Sequence, residues 1–455
     1  MTARRAAAIG CLAAMLAALA FLPGRWYLLM WVPFAAGAYL VCRLDRRTAL
    51  VLVLLGGAAL PLTAGLEPPN SSDDMYRYVW DGRVQRAGID PYAYAPSAPE
   101  LAGLRDDFLW PDASNWCVPG GCTLINRPDV PTIYPPVAEA LFAAVPDGGR
   151  QRPMQLTMAA FAFATGVLLW YALRRLGRDP RRAVLWAWCP LVALEAGNNA
   201  HVDVVAVALA AAALYVLARA PDRRAAVLGG LLLGLAVATK LTPALLGPAV
   251  LRRRPVTVGL AAAGAVAAVY LPHVLAAGPA VLGYLPGYLH EEGYSNGSRF
   301  ALLSLLLPAP VVAPAAVLLL AAAALYVLRT AEADRPWRGA AVMVAAALLV
   351  TAPAYPWYAL LLVMLVAYGA PAEWLALALA GTLTQLATDL GLAQSAVQRA
   401  AYAAALLVMA AGLLLRRRRG ATGIGSWDAY RGAAAADRPV AADRRTGTTS
   451  RGPRV

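Results

Sequence analysis

The chain has 455 residues, 60% of them hydrophobic and 15% charged, with a formal net charge of +14. Soluble domains carry roughly 25% charged residues, so this composition, with a mean hydropathy of +0.56, excludes an ordinary soluble globule. The positive charge is not gathered into a nucleic-acid stripe. It sits in clusters at the ends of apolar runs, at Arg4-Arg5, Arg46-Arg47, Arg174-Arg175, Arg181-Arg182, Arg223-Arg224, Arg252 to Arg254 and Arg416 to Arg419, as cytoplasmic span ends do.

Many of the apolar runs reach the ~20 residues a bilayer core requires, which makes the chain an all-α polytopic membrane protein. The opening M-T-A-R-R has no small-residue cleavage site after it, since Pro23-Gly24-Arg25 follows, so the first apolar run reads as a retained span. Spans near 6–22, 26–42 and 48–66 lead from a cytoplasmic N-terminus to an external loop over 67–152, too long for a simple connection. Four regions follow from this: spans over 1–66, an external loop with a juxtamembrane helix over 67–152, a bundle with outer-face loops over 153–415, and a disordered basic cytoplasmic tail over 416–455.

The loop opens with N-S-S-D-D-M-Y-R-Y-V-W-D-G from Asn70, followed by Gly88-Ile-Asp-Pro-Tyr92. Read as a helix opening at Ser71 or Ser72, it carries Asp74, Arg77, Tyr78 and Asp81 on one face, and Gly88 stops it. Two carboxylates, a guanidinium and a phenol on one face beside a membrane suit activating a hydroxyl and holding a phosphate. Acids in a first turn also simply oppose the helix dipole, so Asp73 and Asp74 have a purely structural reading too. Cys117 and Cys122 flank V-P-G-G, either as a disulfide in an oxidising compartment or as a reduced pair. Pro131-Thr-Ile-Tyr-Pro-Pro136 closes the loop.

After a span near 153–173, a short apolar segment at 183–194 ends in Glu195-Ala-Gly-Asn-Asn-Ala-His-Val-Asp203, and a span at 204–218 follows. These bring Glu195, Asn198, Asn199, His201 and Asp203 to the outer face. Segment 225–251 carries Lys240 and Pro243 mid-way, which suggests two short helices meeting near the outer surface. A charge there marks function or snorkels at a helix end. Beyond a span near 256–275, a second external loop holds His290-Glu-Glu292 and Asn296-Gly-Ser-Arg299. Spans near 311–328 and 339–352, a pair within 359–388 broken at Gly369-Ala-Pro371, and one at 395–415 complete the chain. Trp357 and Tyr358 lie at the outer interface. With Trp80 and Tyr92 they read as rings for stacking on sugar or prenyl groups, or as interfacial anchors. All the chemical motifs fall on one face and the arginine clusters on the other.

D-x-Y-R-Y-x-W-D-G, G-x-D-P-Y, Y-P-P, W-x-x-x-P-L-V-x-L-E-x-G-x-N-x-H-x-D (188–203), G-L-A-V-A-T-K-L-T-P (234–243) and P-W-Y (356–358) together resemble bacterial GT-C glycosyltransferases. The nearest are the polyprenyl-phosphate-mannose-dependent mannosyltransferases of glycosyltransferase family 87 and related alpha-mannosyltransferases. The resemblance implies a multi-helix bundle in the plasma membrane with large extracytoplasmic loops. It also implies transfer of a sugar, mannose first, from a polyprenyl-phosphate carrier to a glycan or glycolipid hydroxyl with inversion. By the same resemblance a carboxylate at the start of the first external loop is the base. Asp74 holds that position, with Asp73 as the neighbouring alternative. Arg77, Lys240 and Arg299 are candidate cations for the departing phosphate; Tyr78, Asp81, Asn198, Asn199, His201, Asp203, Trp357 and Tyr358 complete the substrate site. No nucleotide fingerprint is present and one His among scattered acids makes a poor metal set, so neither cofactor nor metal is expected. A lipid or sugar transporter with Lys240 and Asp203 in its path is the rival from another class.

Overall fold

The computed structural model describes residues 2–418 apart from 23, 115, 120 and 147. The expected tail therefore lies almost wholly outside the described residues. The helices are α1 (Thr2–Phe21), α2 (Trp31–Val41), α3 (Arg46–Ala64), α4 (Asp74–Arg86), α5 (Pro136–Ala144), α6 (Arg152–Arg175), α7 (Val184–Ala187) and α8 (Pro190–Val192). A π-helical turn, Ala193–Asn198, leads to α9 (Asp203–Arg219), α10 (Arg223–Val237), α11 (Gly247–Val250) and α12 (Pro255–Ala277). The rest are α13 (Leu285–Glu291), α14 (Ala309–Thr330), α15 (Pro336–Thr351), α16 (Leu360–Tyr368), α17 (Ala376–Leu386) and α18 (Gln394–Arg418). Six helical stretches, Thr2–Phe21, Arg46–Ala64, Arg152–Arg175, Pro255–Glu291, Ala309–Thr330 and Gln394–Arg418, are long and apolar enough to cross a membrane. This is an all-α polytopic membrane protein.

The bundle packs around α16, every residue of which is buried. Glycines let neighbours approach closely. A Cβ on Gly56 of α3 would lie 2.0 Å from the indole nitrogen of Trp188, which donates to Leu52 O at 3.0 Å. One on Gly197 would lie 2.2 Å from Pro61 O. The glycine in the E-x-G-x-N run is thus there for helix contact.

The two ends of the bundle differ in chemistry. At one end Arg182 donates to the carbonyls of Val366 and Ala370, capping α16, and Arg181 donates to Leu44 O. At the other end α3 finishes, and Arg152, at the start of the oppositely running α6, donates to Leu66 O. The first long loop folds over this second end. It holds α4, a hairpin of β1 (Trp116–Val118) and β2 (Gly121–Thr123) joined by a Cys117–Cys122 disulfide, and α5. Its G-x-D-P-Y turn is tied down: Asp90 accepts from Tyr92 N–H, Asp90 Oδ2 lies 2.8 Å from His273 Nδ1 of α12, and Tyr92 OH donates to Tyr134 O at 2.6 Å.

Two helix starts and breaks are informative. α4 begins at Asp74, not Ser71 or Ser72: Ser71 Oγ is held by Asn199, while Ser72 Oγ meets His201 and accepts from the Asp74 N–H ahead of the first turn. Gly88, at φ +80°, then turns the chain out of the helix. The segment around Lys240 is broken after Val237, as Pro243 suggests, and resumes through a 3₁₀ turn, Thr242–Leu246.

Candidate active site

The loop that presents α4 is fixed from below by two asparagines. Asn198 accepts from Asn70 N–H and donates to Ala64 O and Pro68 O; Asn199 accepts from Ser71 N–H and donates to Ser71 Oγ at 2.8 Å. Both are fully buried. Their polar groups are taken up within the protein, those of Asn198 by backbone and the Asn199 amide nitrogen by the Ser71 and Glu195 side chains, so they position the loop and do not face open space. Gln385 of α17 donates to Ser71 O at 2.7 Å from the far end of the sequence. The result is a rigid entry to α4 with Asp74 in its first turn.

Asp73 and Asp74 part company there. Asp73 accepts from the indole of Trp116 at 3.2 Å, tying the hairpin to the helix start. Asp74 turns inward, accepts from Asn126 Nδ2 at 2.7 Å, and has its other oxygen 3.7 Å from His201 Nε2. His201 is fully buried, with Nδ1 2.8 Å from Glu195 Oε2 and Nε2 3.1 Å from Ser72 Oγ. Its ring lies flat against Trp357, 4.0 Å between centroids, and Trp357 in turn stacks on Tyr355 at 4.7 Å. The π-helical turn and the left-handed Ala200, at φ +54°, bring Glu195 and His201 together in the short run between α8 and α9. Such irregular backbone often accompanies function.

Lys240, in the break between α10 and α11, holds Asp203 at 3.1 Å. Its ammonium stands 5.4 Å from the ring centroid of Tyr134 and 5.9 Å from that of Tyr358. Tyr358 OH is 2.8 Å from Tyr288 OH of α13, and the Arg299 guanidinium lies 5.9 Å from the Tyr358 ring while pairing with Glu292. One half-open carboxylate, a buried imidazole and a set of cations among phenols thus share one end of the bundle. At the rim, Arg127 grips Glu291 of α13 at 2.6 Å.

On α4 Arg77 and Asp81 lie elsewhere, whereas Tyr78 abuts the Tyr134 ring. Arg77 and Asp81 are buried and bond each other at 2.9 Å, while Arg77 also donates to Val130 O. Glu139 of α5 accepts from Thr132 and from Gln85 in the same nest. Burial, followed by the charge of Asp81, pushes its carboxyl well above the ordinary range. Arg77 is therefore committed to an internal ion pair, which costs about 3–5 kcal/mol to break, and it does not face the Asp74 side. Tyr78 stacks on Phe142 at 4.4 Å and meets Tyr134 edge-on at 4.9 Å. Trp80 and Tyr92, read as stacking rings, are buried in the fold of the loop. Asn126, Tyr134, Glu139, Tyr288 and the Arg127–Glu291 pair went unassigned in the sequence. Only Tyr134, inside a Pro-rich turn, carried a local signal. Among the described residues, no three of His, Cys, Asp and Glu converge as a metal site requires.

Residues 132–353 match the profile of Glycosyltransferase family 87. Over that stretch the chain is similar to glycosyltransferase family 87. That family is of the GT-C type, so the protein is a membrane glycosyltransferase, working with a sugar donor and an acceptor in a membrane. No match was found among curated proteins or solved structures. The family 87 region contains Tyr134, Glu195, His201, Asp203, Lys240 and Arg299, whereas Asp74 precedes it and Trp357 follows it. The site described above is thus closed by the family region together with segments on both sides.

Proposed function

We propose that the protein transfers a sugar, mannose first among candidates, from a polyprenyl-phosphate carrier to a hydroxyl of a glycan or glycolipid, with inversion and with Asp74 as general base. The observation that carries this reading is the gathering at one end of the bundle of a partly accessible Asp74 carboxylate, set against Asn126 and His201, and the Lys240 ammonium held by Asp203. In the attack, the acceptor hydroxyl gives its proton to Asp74 as its oxygen bonds the anomeric carbon and the bond to the carrier phosphate breaks. General-base help of this kind is worth about 10²–10⁴-fold. Lys240, with Arg299 behind Tyr358, supplies positive charge where the phosphate departs. Asn126 sets the carboxylate's orientation.

Asp74 is preferred to Asp73 because Asp73 is engaged by Trp116 on the outer side of the helix start. A carrier lodged in the bilayer explains why the site lies where the spans end. The arginine clusters at the opposite end argue for an extracytoplasmic site in the plasma membrane, with both termini inside. The test is transfer of radiolabelled mannose from polyprenyl-phosphate-mannose in membranes expressing wild type, Asp74→Asn and Asp73→Asn. Loss of label in Asp74→Asn alone supports the reading. Loss in Asp73→Asn alone moves the base by one residue. Absence of transfer by wild type from mannose-, glucose- and arabinose-charged carriers refutes the donor assignment.

A further inference from the structure

Asp74 is not the last group in its chain of contacts. His201 Nε2 lies 3.7 Å from Asp74 Oδ2 and 3.1 Å from Ser72 Oγ, and on the other side of the ring Nδ1 lies 2.8 Å from Glu195 Oε2. The first gap is longer than a hydrogen bond. It is the kind of separation that closes when a substrate seats, since catalytic contacts are often long before binding. The ring cannot rotate freely. It is fully buried, clamped face-on by Trp357, and held where the left-handed Ala200 delivers it, the His201 backbone N–H donating to Glu195 O at 2.7 Å. Glu195 is oriented in turn by Asn199 Nδ2 at 3.0 Å and lines a cavity of about 380 Å³ of mixed character that Tyr27, Asn70, Ser71, Gln385 and Leu386 also line. A cavity of that size admits many waters. Glu195 thus borders this cavity while its Oε2 lies beside the imidazole.

From this geometry, and resting on the base assignment above, we infer that His201 takes over the proton that Asp74 removes from the acceptor, with Glu195 as its positioning residue. Glu195 Oε2 beside Nδ1 favours the tautomer that carries hydrogen there, which leaves the Nε2 lone pair between Ser72 Oγ at 3.1 Å and Asp74 Oδ2 at 3.7 Å. When the acceptor oxygen bonds the sugar and the phosphate leaves with the electron pair, the hydroxyl proton passes to Asp74 and then to His201 Nε2. Asp74 is a carboxylate again, and the proton rests on an imidazolium between two carboxylates. It leaves from Nε2 to water once the product has departed, and the ring returns to its starting tautomer. The titratable groups that face the ring are Asp74 from α4 and Glu195 from the π-helical turn, with the Asp203–Lys240 pair two residues further along.

The experiment uses full-length protein in membranes and the mannose-transfer assay, with Asp74→Asn as the reference for a lost base. His201→Gln is expected to lower kcat by about 10²-fold with the KM for the donor within twofold. Glu195→Gln should lower kcat less, again at constant KM. In His201→Gly, whose vacated space lies against Trp357, added imidazole should restore kcat in proportion to its free-base concentration, and N-methylated pyrrole, of similar shape without a basic nitrogen, should not. Each variant's melting temperature in detergent shows whether it folds, and a variant that fails to fold is replaced by its partner in the pair. Wild-type kcat in both His201→Gln and Glu195→Gln overturns the relay. So does a loss expressed in donor KM, or a rescue by the non-basic ring. If wild type transfers nothing, the donor reading has failed. If wild type transfers and Asp74→Asn does not, any failure belongs to the relay alone.

Discussion

Lys240 offers the sharpest test of the electrostatics. At 3.1 Å from Asp203, with an effective dielectric constant near 20, the pair is attracted by about 5 kcal/mol. A leaving phosphate about 4 Å from the same ammonium would gain about 4 kcal/mol, or roughly 10³ in rate. Lys240→Met removes both interactions and strands Asp203, whose side chain is only 5% exposed, at a cost of about 3–5 kcal/mol in stability. Adding Asp203→Asn to Lys240→Met removes the stranded charge. The double variant should therefore melt near wild type in detergent yet transfer sugar about 10³-fold more slowly. The assay pairs thermal unfolding followed by tryptophan fluorescence with label transfer in membranes. Transfer by the double variant within tenfold of wild type would refute the role given to this ammonium. A single variant as stable as wild type would show that Asp203 does not depend on it.

Two further outcomes follow from the packing and the buried acids. The folded Glu139 carboxyl sits above its unfolded value of about 4.3, so its contribution to stability is full below that value and is lost as pH rises through the folded one. Glu139→Gln should accordingly flatten the decline of melting temperature from acidic to neutral pH, and an unchanged slope would count against it. Gly197→Ala forces a Cβ against Pro61 O and should lower stability by about 1–3 kcal/mol, read as the melting temperature in detergent; a neutral result would show that α3 can yield there.

The sequence made the architecture readable because its signals are local. Span length, arginine clusters at span ends, Gly88 as a helix stop and the break at Lys240-Leu-Thr-Pro243 are each set by neighbours in the chain. The site was legible as a set of segments and not as a set of roles. Asp74, Arg77, Tyr78 and Asp81 do share a helix face, yet across that face Arg77 and Asp81 turn to Glu139 of α5 while Asp74 turns to Asn126 and His201. Nothing within four residues encodes that division, since it depends on which partner the loop over 126–139 brings up. Asn198 and Asn199 carry the same lesson. Amides near a binding face suit sugar hydroxyls equally well, and only the path of the chain from Ala64 to Ser71 gives them their internal partners.

The bond from Gln385 to Ser71 spans 314 residues, and Gln398 of α18 donates to Ala352 O just ahead of the aromatic run at 355–358. Chains emerge from the ribosome N-terminal end first. The loop that carries Asp74 is therefore made early and completed late, waiting for helices that are translated close to the end. A chain interrupted after α15 would hold most of the family 87 region and still lack Trp357, Tyr358 and the clasp on Ser71. The entry to α4 is thereby fastened by segments far downstream of it in the chain.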